Sequence, residues 1–364
     1  MSRRDIEPYE HGTPARTAVL LCNLGTPSAP TTAAVRRYLR EFLSDRRVVE
    51  VPRAVWLPLL HGIIVPLRSP KTAAKYASIW QPEGSPLAVA TAALERALQA
   101  ELQRRGHHVV VRHAMRYGAP ATPAVLEELH AQGVTRLLGV PLYPQYSAAT
   151  SATALDAVAG WLRGKRRQPG LRWLRAFADH AGYIDALADK VRAHWQAHGR
   201  PERLLMSFHG MPRRTLLAGD PYHCECRKTA RLLAEALGLD DTQYVVSFQS
   251  RFGAEAWLQP YTEPTLRELA RSGVRRVDVV CPGFVADCLE TLEEIAIEGK
   301  RAFLSAGGSE FRYIACLNAD PGWVGALAGL VEQELAGWPT RQAPDAAALA
   351  ASAERARTLR EAQG

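Results

Sequence analysis

LLMSFHGMP, residues 204–212, decides how this chain folds. Leu204 to Phe208 include one polar side chain, Ser207, so the run has the length and apolarity of a buried strand. His209 stands at its mouth, and Gly210 and Pro212 then break the chain. VLLCNLGTP, residues 19–27, has the same plan, an apolar strand closed by a Gly-x-Pro break. A looser pair follows, GVTRLLGVPLYPQYS at 133–147 and GVRRVDVVCPGFVAD at 273–287. Such a repeat predicts two similar halves.

Working outward, strand-like runs fall at 17–25, 107–115, 135–143, 203–210, 243–250 and 275–283. Helical periodicity fills 121–132, 181–197, 225–237, 262–272 and 321–336. This alternation predicts an α/β fold: two Rossmann-like domains with parallel sheets and helices on both faces. The expected division is 14–178, 179–338 and a peripheral or mobile tail, 339–364, rich in Ala, Arg and Glu. Ligands of open parallel sheets bind outside the carboxyl ends of the strands. Asn23, Tyr143, Gln145, Tyr146, Ser147, His209, Phe284 and Asp287 sit at those ends, which puts the expected cleft between the domains.

Composition narrows the function. A 364-residue chain with 47% hydrophobic and 23% charged residues is an ordinary folded protein. No apolar run reaches the ~18 residues that span a bilayer. The opening MSRRDIEPYEHGTPAR lacks an apolar signal core, so a cytoplasmic location is expected. The net charge of +8 suits an anionic small molecule, an anionic membrane face or nucleic acid. The densest basic run, RGKRRQPGLRWLR at 163–175, reads as a solvated loop, and no nucleic-acid motif accompanies it. Nucleic acid is therefore not an expected partner.

Of six cysteines, Cys22, Cys281 and Cys316 lie in or beside apolar runs, as buried free thiols do. HCEC (His223, Cys224, Cys226) lacks a second close pair, so neither a structural metal nor an iron–sulfur cluster is expected. P-loop, dinucleotide and Gly-x-Ser-x-Gly signatures are missing.

Two further stretches carry chemistry. In PGFVADCLETLEEIAIEGK, 282–300, Glu290, Glu294 and Glu298 recur every four residues, with Asp287 three before the first. On a helix they share one face. The row is either a solvated acidic stripe or a path from a site that conducts protons or accepts a cation. Like charges four apart repel by a few tenths of a kcal/mol (~0.2–0.5) per pair, and no basic residue interrupts the row. His209 and Glu290 together are a borderline ligand set suited to Fe(II), Zn or Co(II), and two ligands leave the site open. The stretch AVWLPLLHGIIVPLRSP, 54–70, is apolar but broken by Pro58 and Pro66. It reads either as a core helix or as an apolar lip, ending in Arg68, that admits a hydrophobic ligand and can touch a membrane.

The motifs LCNLGTP, RSPKTAAKYASIW, GSPL, MRYG, LYPQYS, SFHGMP, GDPYHCEC, FQSRFG, WLQPYT and FVADCLETLEEI occur in this order over roughly 14–338. In that set the chain resembles ferrochelatase, the enzyme family that inserts ferrous iron into a porphyrin late in haem synthesis. The resemblance implies a chelatase-like fold with the active cleft between the halves. It implies that His209 and Glu290 handle metal and proton, and that Asp287, Glu294 and Glu298 continue an acidic relay. Leu24, Tyr117, Tyr143, Gln145, Tyr146, Trp257 and Phe284 would line the porphyrin pocket. Arg68, Tyr76, Ser85 and Arg116 would meet propionates or brace the mouth. Fe(II) and the porphyrin are then substrates, with no permanently bound cofactor.

The sequence departs from some relatives at Cys288, where they carry histidine, and in a tail without cysteine. Leu24 stands where coproporphyrin enzymes often carry tyrosine, which favours protoporphyrin IX. The alternatives are a coproporphyrin ferrochelatase or another class II tetrapyrrole chelatase, and, outside catalysis, a tetrapyrrole carrier. A carrier is expected to lose His209 or the acidic row first, and neither is lost. An unperturbed imidazole titrates near neutrality, so His209 suits removal of a pyrrole proton. Monomer and homodimer both remain open.

Overall fold

The computed structural model describes residues 10–253 and 255–362, so the first nine residues of the polar amino-terminal stretch lie outside it. Among the described residues, eight strands form two four-stranded sheets. The first holds β1 (Arg16–Thr26), β2 (Val109–Gly118), β3 (Val134–Pro141) and β4 (Gly170–Trp173). The second holds β5 (Arg203–His209), β6 (Tyr244–Gln249), β7 (Arg276–Val280) and β8 (Glu310–Tyr313). Every ladder is parallel. The orders, β2-β1-β3-β4 and β6-β5-β7-β8, are identical, so β5 occupies the place of β1. The pairing of the two Gly-x-Pro stretches is thus a pairing of central strands.

Both faces of the central strands are buried, which explains their unbroken apolarity. In β1, Val19 and Leu21 face one core and Ala18, Leu20 and Cys22 another. In β5, Leu204, Met206 and Phe208 join the same core as Val19 and Leu21. Each such Val or Leu contributes ~1.5–3 kcal/mol on burial, so this shared core fixes the two sheets to each other.

Helices extend the joint. Ala181–His198 follows β4 of the first sheet yet packs on Tyr222–Leu237 of the second half. Pro321–Leu335 follows β8 yet packs on Pro86–Arg104 of the first half and on Ala181–His198. Arg105 secures the crossing through Glu332, at 2.7 Å.

Three features correct or refine the sequence reading. The end of the basic run 163–175 is the edge strand β4, where charge suits an exposed edge. The interrupted stretch 54–70 lies in one helical run: Arg53–Leu59 is α, Leu60–Ile64 is a π-turn and Val65–Ile79 is α again. The π-turn absorbs the misfit just before Pro66, whose missing N–H would interrupt a regular ladder. Trp56, Leu60, Val65, Ser69, Ala73 and Tyr76 turn inward from this run. The acidic helix is also π-wound, over Glu290–Gly299. In the tail, Ala346–Glu361 is a helix with no buried residue. No described helix is long and apolar enough to cross a membrane.

Candidate active site

The carboxyl ends of β1, β3, β5 and β7 open into one cleft with a volume of about 190 Å³. The two Gly-x-Pro breaks shape its floor. Gly25 has φ +107°, and a Cβ there would lie 1.7 Å from the Tyr117 carbonyl oxygen. A Cβ on Gly210 would lie 2.5 Å from the Gln249 carbonyl oxygen, which accepts the Gly210 N–H at 2.7 Å. At both strand ends the neighbouring backbone comes too close for any side chain.

His209 is half-buried at the end of β5 and lines the cleft. Its Nδ1 lies 2.6 Å from the Gly210 carbonyl oxygen. That oxygen only accepts, so Nδ1 carries the hydrogen, and in the neutral ring the lone pair is on Nε2. The Tyr222 hydroxyl, also on the cleft wall, donates to the His209 carbonyl at 3.0 Å. Glu290 enters from the first turn of the π-helix. Gln249 ties the two: its Nε2 donates to the Glu290 carbonyl at 2.7 Å, and its Oε1 accepts from Ser207 of β5 at 2.6 Å.

Among the described lining residues there is no lysine or arginine, and His209 and Glu290 are the only imidazole and carboxylate. The other titratable groups on the wall are held neutral. Burial pushes the Tyr38, Tyr76, Tyr143 and Tyr222 hydroxyls and the Cys288 thiol well above their ordinary values. Cys288 is therefore an inert apolar wall. The buried Tyr143 hydroxyl has no hydrogen-bond partner among the described residues, a cost of ~1–3 kcal/mol that a polar ligand group in the cleft would remove.

Behind Glu290 the acidic row runs outward. Glu294 is half-buried and accepts from the Ser250 N–H at 2.7 Å and hydroxyl at 2.5 Å. Burial raises its carboxyl, the Ser250 bonds and His209 oppose that, and Glu290 adds to it. Glu298 is exposed. Lys75, from the lip run, lies 3.6 Å from Glu298 and 2.7 Å from the buried Glu293. The row thus has a neutral-leaning middle and a cation at its outer end.

The remaining anticipated residues divide. Leu24, Tyr76, Ser85, Tyr143, Gln145 and Phe284 line the cleft. Gln145 also locks the halves, donating to Thr229 at 2.9 Å and the Pro282 carbonyl at 3.2 Å. Six others stand outside the wall. Asp287 is engaged by Tyr313 at 2.6 Å and Asn318 at 2.7 Å, anchoring the turn before the π-helix. Arg116 pairs with Asp45, and the Tyr117 hydroxyl donates to that carboxylate at 2.9 Å. Burial pushes Asp45 up, but bonds from Thr153, the Arg47 N–H and Tyr117, with the Arg116 charge, hold it below the usual carboxylate range. Arg68 lies over Phe252, Arg175 lies over Tyr146, and Trp257 packs over Gly210. Sequence reasoning missed Tyr38, Phe42 and Val48 from the lip side, and Tyr222. Tyr38 and Phe42 sit four apart on a helix, a spacing that reads as core, and Tyr222 lies in the quoted GDPYHCEC.

The ferrochelatase sequence model matches residues 16–335. The chain belongs to the ferrochelatase family. A relative named Ferrochelatase from Polaromonas sp. is 58% identical over 352 residues, 96% of each chain. Another of that name from Azoarcus sp. is 59% identical over 356 residues, 98% of each. A third, from Dechloromonas aromatica, is 58% identical over 96% of each chain. Among solved structures, SirB from Bacillus subtilis with Fe3+ aligns at TM-score 0.54 and 13% identity, covering 88% of this chain and 96% of that one. That likeness shows the fold alone, two similar α/β halves.

Proposed function

We propose that this member of the ferrochelatase family takes protoporphyrin IX, with His209 and Glu290 handling its protons and iron. As a ferrochelatase-family chain it is a lyase-type metal chelatase that inserts Fe(II) into a porphyrin for haem synthesis. One observation carries the site assignment: an otherwise neutral cleft holds a single imidazole and a single carboxylate among its described lining residues.

Insertion replaces two pyrrole N–H protons by Fe(II), so two protons must leave. The Nε2 lone pair of His209 accepts a pyrrole proton. Glu290 presents the ferrous substrate or accepts the other proton. Glu294, with its raised carboxyl, and the exposed Glu298 carry protons onward to solvent. Apolar and aromatic walls bury the macrocycle, and propionates face the mouth, because no cation lines the interior. Arg68, exposed on the lip run, is the candidate cation for them.

Leu24 on the cleft wall favours the less polar porphyrin. The exposed apolar side chains of 54–70 favour a peripheral membrane contact at the inner face of a cytoplasmic protein. Anaerobic turnover with Fe(II) and either porphyrin tests the substrate. We expect a higher kcat/KM for protoporphyrin IX, and a preference for coproporphyrin overturns the choice without touching the family assignment.

A further inference from the structure

The outward face of the helical run 53–79 is apolar and free of negative charge. Val55, Leu59, Ile63 and Leu67 recur every four residues and are 63%, 40%, 53% and 67% exposed. From Val51 to Pro82 the sequence has no Asp or Glu, and its basic side chains are Arg53, His61, Arg68, Lys71 and Lys75. An apolar stripe on a purely basic helical run is the pattern of an interfacial segment on an anionic membrane.

Beside this stripe lies an open groove that the cleft chemistry does not use. Five arginines and three carboxylates line it, together with His61 of the π-turn. Arg47 is held by Asp156 and Arg116 by Asp45, while Glu41 accepts the Gly118 N–H at 3.0 Å. Arg37 and Arg40 of the helix Thr32–Leu43, and Arg46 just after it, have no carboxylate partner among the described residues. Guanidinium groups offer paired donors that match phosphate oxygens.

We propose that this groove binds the phosphate of an anionic phospholipid, with Arg37, Arg40 and Arg46 as its donors and His61 at its edge. The Val55–Leu67 stripe then lies at the boundary between headgroups and acyl chains. The proposal rests on the membrane-contact reading above and names the lipid that makes the contact. A free phosphate gains nothing from the stripe, whereas a phospholipid occupies stripe and groove together. Each basic residue at an anionic surface contributes ~1 kcal/mol, about fivefold, so the three together set a preference of about 100-fold.

The test is co-sedimentation of the full chain with vesicles of pure phosphatidylcholine or of phosphatidylcholine with phosphatidylglycerol. Parent, Arg37→Gln/Arg40→Gln/Arg46→Gln and Leu59→Ser/Ile63→Ser are compared, with iron insertion in detergent as the check on folding. The expected result is binding to anionic vesicles that falls about 100-fold in the arginine variant. It should also weaken with salt, and the serine variant should lose it. Equal binding of both vesicle types, lost only in the serine variant, overturns the headgroup site and leaves the lip contact standing. Binding to neither type overturns both. Inorganic phosphate that binds the parent at millimolar concentration and releases the vesicles identifies a free-phosphate site and overturns the lipid assignment.

Discussion

Gln249→Leu tests whether His209 and Glu290 are held in fixed relation. Gln249 is 3% exposed and pairs with His209 in the β5–β6 ladder. Its side chain bonds Ser207 at 2.6 Å on the strand that carries His209, and the Glu290 carbonyl at 2.7 Å on the helix that carries the carboxylate. Leucine fills much of the volume and makes neither bond. Two net hydrogen bonds at ~1 kcal/mol each set the stability loss at about 2 kcal/mol. The functional loss should be larger, because displacing one reacting group by about 1 Å costs about 100-fold. The assays are denaturant unfolding and anaerobic kcat for iron insertion. Leu98→Ala, in the fully buried face of Pro86–Arg104, is the control. It should cost about 2–5 kcal/mol with kcat retained. A Gln249→Leu protein that loses stability yet inserts iron at the parental rate would refute the reasoning.

Three further outcomes follow from the same geometry. Tyr222→Phe removes the 3.0 Å bond to the His209 carbonyl, and we expect kcat to fall about tenfold with porphyrin affinity unchanged; a change in affinity alone contradicts a role through His209. Gly25→Ala forces a Cβ to 1.7 Å from a backbone oxygen at φ +107°, and should destabilise by at least ~3 kcal/mol, read as lost soluble yield. Glu294 has its folded-state carboxyl raised by burial, so its contribution is complete below the unfolded value of ~4.3 and is lost as pH rises through the raised value. Glu294→Gln should therefore flatten the stability–pH curve between those two values, and parallel curves for parent and variant there contradict this.

The fold was legible wherever a run was both apolar and repeated. VLLCNLGTP and LLMSFHGMP form the ends of the two central strands, and the five periodic segments are helices within a few residues. The edge strands β4 and β8 escaped because they are four residues long and carry charge. A signal was present: LRAFADHAGYIDALA at 174–188 parallels IACLNADPGWVGALA at 314–328, each following an edge strand. The π-winding escaped because glutamates four apart share a face under either winding. Residue type and strand-end position brought His209, Glu290, Tyr143, Gln145 and Phe284 to one cleft. Direction is a different matter. Asp287 and Arg116 have the expected residue types, but tertiary partners distant in sequence turn them to Asn318, Tyr313 and Asp45. The Lys75–Glu293 pair joins residues that no local pattern relates.

The most direct measurement follows His209→Ala through two readouts at once, protoporphyrin IX binding by absorbance titration and anaerobic Fe(II) insertion by loss of porphyrin fluorescence. The neutral cleft should still take the macrocycle with affinity within a few-fold of the parent, while insertion falls by at least ~100-fold for want of the Nε2 lone pair. Insertion at the parental rate by the alanine variant would contradict the assignment of His209 as proton acceptor or metal ligand.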